Sequence, residues 1–233
     1  MTLPLLLSVP HGGLRVPPEV EDICILTEQH IIEDGDEGAQ DIYAPLQEHV
    51  ATYVTTDIAR AMVDMNRAED DFRKDGVIKT HTCWDVPVYR DFPSRDLIET
   101  LLARYHRPYH ARLTEGARSG VLLALDCHTM AAAGPPVGPD PGKKRPFVCL
   151  GDADGSIPTE WRDTLLLCLG KTFGEQVVTL NDPFRGGYIA RTHGMEMPWA
   201  QLELSRAPFT SNAEKTAGVL RALTAWVELE QCG

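Results

Sequence analysis

The sequence predicts a three-layer α/β domain with helices on both faces of a central sheet. Short apolar runs bounded by Gly, Pro and polar residues alternate with segments of three- and four-residue apolar spacing along most of the 233 residues. The run 121–125 is apolar without a break, as a strand buried on both faces requires. The length suits one domain of ordinary size, and neither an internal repeat nor a long linker interrupts it, so residues 1–233 are read as one domain.

In chain order, 3–9 reads as a first buried strand. It runs straight into Pro10-His11-Gly12-Gly13 and lacks a basic flank, so a signal peptide is not expected. Residues 36–50 read as a helix, because Ala39, Ile42, Tyr43, Leu46 and Val50 share one face. Short strands are expected at 53–56 and 61–65. Ser94 caps a long helical segment with Ile98, Leu101, Leu102 and Tyr105 inward, and Pro108 should kink it or end its first part. After the strand at 121–125, the Gly/Pro/Lys-rich stretch 134–146 reads as a long surface loop. A strand at 147–150, a helix at 159–173, strands at 176–180 and 199–204, and a closing helix at 211–229 complete the series.

Composition excludes several function classes. Asp and Glu number 34 against 22 Lys and Arg, a formal charge of −12 that repels phosphate backbones, so no nucleic-acid partner is expected. No apolar run approaches the roughly 20 residues needed to cross a bilayer. The six cysteines form no CxxC, and Cys127, Cys149 and Cys168 sit in apolar runs, which fits reduced thiols of a cytoplasmic protein. No GxSxG elbow, GxGxxG or P-loop pattern is present, so a serine nucleophile or nucleotide cofactor is unsupported.

Three polar residues fall at or just past the ends of predicted strands, where open α/β sheets place ligands. They are His11 in Ser8-Val9-Pro10-His11-Gly12-Gly13, His128 in Leu125-Asp126-Cys127-His128-Thr129-Met130, and Glu203 in Gln201-Leu202-Glu203-Leu204-Ser205-Arg206. Glu203 is in addition a charge inside an apolar strand, which is costly unless it is paired or used. Each alone has an ordinary structural explanation. Together, two imidazoles and a carboxylate suit Zn²⁺ with a fourth position open, and Asp34 and Asp36 are further sources of that carboxylate. His106 and His110 share a helix face at i and i+4, but position 107 is Arg and Pro108 intervenes, so an HExxH zincin site is not read there. His193 faces the site or caps a turn.

The ordered set SVPHGG, Asp36-Glu37-Gly38-Ala39, VDMNR, YHRPYH, LDCHTM, FRGGYIARTHG and QLELSR resembles the N-formylglutamate amidohydrolase family from residue 8 to residue 206. The resemblance implies a fold similar to the zinc carboxypeptidases, an α/β/α sandwich with a mixed eight-stranded sheet. It implies zinc held by His11, His128 and a carboxylate best matched by Asp36, with Asp34 second, and Glu203 as general base. Asn66 and Arg67 fall where an Asn-Arg pair binds the substrate carboxylate. A dicarboxylic substrate needs a second cation, for which Arg185, beside Gly186-Gly187, stands with Arg191 and Arg206. The expected reaction is hydrolysis of a small N-acyl amino acid, N-formyl-L-glutamate to formate and glutamate. A zinc deacylase or carboxypeptidase acting on another amide, or a metal-free binding protein, are the alternatives.

Overall fold

β1 (Leu3–Val9) sits at the heart of the sheet, with Leu5, Leu6 and Leu7 fully buried. The computed structural model describes residues 2–117 and 120–232, and among these six strands form one sheet. β2 (Val50–Thr55) and β3 (Leu123–Met130) flank β1 in parallel, and β6 (Trp199–Ser205) lies parallel beside β3. β4 (Val148–Gly151) runs antiparallel to β6 and parallel to the edge strand β5 (Val178–Leu180). The order is β2-β1-β3-β6-β4-β5. The sheet is mixed, as expected, but has six strands where the resemblance implied eight.

Strand alternation sends successive side chains to two cores. Leu5 and Leu7 join Leu125, Leu150, Leu202 and Trp226 beneath α2 (Ala39–Tyr43), α5 (Thr159–Phe173) and α7 (Asn212–Cys232). Leu6 points the other way, to Met62, Tyr109, Ala124 and Trp199 beneath α4 (Arg107–Ala117), α6 (Tyr188–His193) and the irregular segment 56–94. Helices therefore cover both faces. Among the described residues, no helix is long and apolar enough to cross a membrane.

Several elements depart from the sequence expectation. The helix expected at 36–50 is α2 followed by a 3₁₀ turn, Ala44–His49, because Pro45 has no N–H with which to continue the α ladder. The strand expected at 61–65 is a buried turn, closed by Met62 N–H donating to Ala59 O and Asp64 N–H to Val77 O. Its apolar residues fill the second core, and a short buried apolar run looks alike in either conformation. Ser94 does cap a helix, α3 (Arg95–Leu101), its hydroxyl accepting from Leu97 N–H at 3.3 Å. Instead of breaking near Pro108, the chain widens into a π turn, Leu102–His106, with Arg107 N–H reaching Leu102 O. That turn absorbs the missing proline N–H and leads directly into α4.

Candidate metal centre

His11 lies in the turn after β1. Gly13, two residues on, packs backbone against backbone: a Cβ there would meet the Asp57 carbonyl carbon at 2.3 Å. Asp36 follows α1 (Glu28–Asp34), and its N–H donates to His11 O at 3.1 Å, tying the α1–α2 connection to the first turn. His128 and Glu203 lie inside β3 and β6 rather than beyond them, and they are register partners. Adjacent in-register positions put both side chains on the same sheet face.

The ligand atoms of His11, Asp36 and His128 lie within 4.8 Å of one another, all buried. His128 Nδ1 is 2.9 Å and His11 Nδ1 3.6 Å from Asp36 Oδ2. The far nitrogen of each ring is held by a second carboxylate. His11 Nε2 donates to Asp64 Oδ1 at 2.7 Å, and His128 Nε2 lies 2.9 Å from Asp126 Oδ2. A proton fixed on Nε2 leaves Nδ1 as the free lone pair, the tautomer a metal requires. His11 Nδ1 is buried without a hydrogen-bond partner, an orphan that a cation would satisfy. These residues fit a divalent ion. Burial alone would raise the Asp36 carboxyl, but the His11 and His128 rings outweigh it and hold Asp36 well below the usual carboxylate range.

Asp126 also accepts from Ser8 Oγ at 3.1 Å and Asn66 Nδ2 at 2.8 Å, so its orientation is fixed from three sides. Asp126→Asn should lower metal affinity about 10- to 100-fold, the usual effect of losing such a partner. Chelator competition measures it, and an unchanged affinity would reduce Asp126 to a packing role.

Glu203 is 5% exposed and accepts from Gln201 Nε2 at 2.7 Å. Burial pushes its carboxyl up to about 7, against the pull of His128. A carboxylate made basic in this way suits proton transfer near neutral pH.

His11, Asp36, Asn66, Arg67, His128 and Glu203 line one cavity of ≈ 750 Å³. Asp34 is not among the lining residues. It is fully buried, accepts from Lys79 Nζ at 2.9 Å and Cys83 N–H at 2.7 Å, and is thereby consumed in an internal ion pair. Asn66 lines the cavity with its amide turned inward: Nδ2 lies 2.8 Å from Asp126 Oδ2 and 3.1 Å from His128 Nε2, while Oδ1 accepts from Ile189 N–H. With the His128 Nε2 proton directed at Asp126, Asn66 Nδ2 and the ring share that one acceptor, so Asn66 meets His128 through Asp126 rather than directly. Arg67 pairs with Asp75 at 3.1 Å, and Asp64 instead serves His11 and Arg60. Arg185 is exposed and does not line the cavity. Gly187 packs on the Asn66 amide, where a Cβ would come within 2.3 Å of Nδ2, and Gly186 takes φ 138°. This close turn brings backbone, not the Arg185 side chain, to the site.

Arg60 carries no sequence expectation, yet its Nε donates to Asp64 Oδ2 at 3.0 Å and its Nη1 lies 3.7 Å from Asp36 Oδ1. A charge within the apolar run Ile58-Ala59-Arg60-Ala61-Met62-Val63 is the signal that marks it. The stretch 134–146 is a wall of the cavity rather than a plain surface loop, with Pro135, Val137, Gly138, Pro139 and Arg145 lining it. A buried two-bond pair, Arg145 on Asp140 at 2.9 and 2.7 Å, folds it inward. His106 and His110 are not ligands: their Nε2 atoms donate to Arg67 O and Met65 O at 2.8 and 2.9 Å, bracketing Asn66. Burial pushes His110 down to about 3, which keeps the ring neutral, and His193 Nε2 meets its Nδ1 at 2.8 Å.

Comparison with known proteins gives a consistent picture. A curated N-formylglutamate deformylase of Pseudomonas aeruginosa is 29% identical over 246 residues, covering 95% of this chain and 91% of that protein. One of Pseudomonas putida is 28% identical, covering 91% and 84%. The crystal structure of an N-formylglutamate amidohydrolase from Ralstonia eutropha superposes with a TM-score of 0.78 at 22% identity, covering 99% of this chain and 94% of the other, and so shares the fold. The family model described as N-formylglutamate amidohydrolase matches residues 3–209, and the chain belongs to that family.

Proposed function

We propose that this chain is a zinc-dependent deformylase that hydrolyses N-formyl-L-glutamate to formate and glutamate. The observation that carries the reading is the convergence of His11, Asp36 and His128 in one cavity with a buried, basic Glu203. Family membership and the names of the two Pseudomonas relatives support the substrate. His11 and His128 would hold the ion through Nδ1, and Asp36 through its carboxylate. Bound zinc supplies Lewis acidity and brings the pKa of a bound water to about 7.

Glu203 takes the proton of the water that attacks the formyl carbon, and returns it to the amide nitrogen as the C–N bond breaks. Arg67 receives the α-carboxylate through the one Nη1–H and one Nη2–H that its bonds to Asp75 and to Asn66 O leave over. Asn66, Asp64 and Asp126 hold the two imidazoles in place. The five described cysteine side chains, Cys24, Cys83, Cys127, Cys149 and Cys168, are free thiols, which supports a reducing, cytoplasmic setting. The side chain of Cys232 lies outside the described residues.

Metal analysis of purified protein, paired with formate release from N-formyl-L-glutamate, N-acetyl-L-glutamate and dipeptides, tests the reading. One zinc per chain and selectivity for the formyl group are expected. Turnover confined to acetyl or peptide substrates, or full activity without metal, would defeat it. Arg67→Ala should raise KM for carboxylate-bearing substrates about 10-fold or more, with a smaller effect on kcat. An equal loss on neutral amides would assign Arg67 to its Asp75 pair instead.

A further inference from the structure

Seven of the residues lining the cavity are Lys or Arg against four Asp or Glu, in a chain whose formal charge is −12. The cavity is thus a local reversal of the protein's field, as an anionic ligand requires. Six of the seven cations are already matched by a carboxylate. Arg60 pairs with Asp64 at 3.0 Å, Arg67 with Asp75 at 3.1 Å, Arg73 with Asp71 at 2.6 Å and Lys79 with Asp34 at 2.9 Å. Arg145 pairs with Asp140 at 2.7 Å and Arg191 with Asp154 at 3.0 Å.

The seventh is Arg206. Among the described residues no carboxylate pairs with it. Its side chain makes one hydrogen bond, Nη1 to Glu33 O at the long limit of 3.5 Å, and its Nε is buried without a partner. A guanidinium does not shed its charge, and a half-buried one left unpaired costs free energy. Its placement is not incidental to the chemistry. β3 and β6 carry His128 and Glu203 side by side, and where these strands end, Arg206 N–H donates to Met130 O at 2.8 Å. The strands that build the reacting centre therefore also deliver an unmatched cation to the same cavity.

We propose that Arg206 is the receptor for the substrate's side-chain carboxylate, so that the enzyme selects N-formyl amino acids whose side chain ends in an anion. This rests on the deformylase reading and adds to it the residue that sets specificity. Arg206 is a binding residue here, with no share in the proton transfers.

N-formyl-L-glutamate and N-formyl-L-glutamine are nearly the same shape and differ at the terminal group, so their ratio of kcat/KM reads the subsite directly. The wild type should favour the glutamate derivative, and Arg206→Gln should cut that ratio about 10- to 100-fold, the range expected for losing a charge-assisted fork. Arg206→Lys, which keeps the charge but not the fork, should fall between. A ratio that survives in Arg206→Gln, including a parallel loss on both substrates, overturns the proposal, as does a wild type without the preference. A second arm needs no turnover: calorimetric binding of glutarate to the zinc-loaded protein should weaken about 10-fold or more in Arg206→Gln. If neither formyl amide is cleaved, the deformylase reading falls while this arm still decides the anion site. Equal glutarate affinity in both proteins overturns it.

Discussion

Glu203→Gln is expected to abolish turnover and leave the metal in place. The two side chains have nearly the same volume, so the buried space between Gln201 and His128 stays filled and the β3–β6 pairing is undisturbed. What disappears is the ability to accept a proton. A positioned general base is worth about 10²–10⁴ in rate, so kcat should drop by at least that factor with KM little changed. Metal content measured on the same preparation separates this from damage to the centre. Normal zinc with lost activity supports the base role, whereas substantial turnover in the variant removes Glu203 from the reaction.

Much of this arrangement was legible in the sequence, and for a physical reason. A charge inside an apolar strand is expensive unless it is used, which draws attention to Glu203, and the same reasoning applies to Asp126. The signal is present again at Arg60 and Asp64, in the run 58–64, but there the apolar period suggests a strand while the chain forms a buried turn. Periodicity reports burial well and conformation poorly when a run is short.

Direction is harder to read than residue type. Arg185, Arg191 and Arg206 are equivalent as letters. Only the turn at Gly186 and Gly187, pressed on Asn66, sends the first of them outward. The second, Arg191, lies half-exposed against Asp154 at 3.0 Å, a pairing that its letter does not announce. The loop 134–146 is plain from its prolines and glycines, but its inward fold is held by the Asp140–Arg145 pair and by Val137 N–H donating to Cys83 O, contacts that sequence spacing alone does not specify.

The two carboxylates near the second helix should separate cleanly when each is neutralised. Asp36→Asn removes the carboxylate that stands between His11 and His128, so on the proposed reading zinc affinity and activity should both collapse while the fold persists. Asp34→Asn attacks a different structure. Asp34 and Lys79 are 0% and 1% exposed, too deep for solvent to screen the charge left behind. Breaking a buried pair by removing one partner costs about 3–5 kcal/mol, and the lower end is expected because Asp64 stands 3.9 Å from Lys79 and partly compensates. The midpoint of thermal unfolding should therefore fall in Asp34→Asn with zinc content near one per folded chain. In Asp36→Asn the zinc should be lost first. The opposite pattern would exchange the roles of the two residues, and it would require the His11 and His128 lone pairs to point away from the position where they now converge.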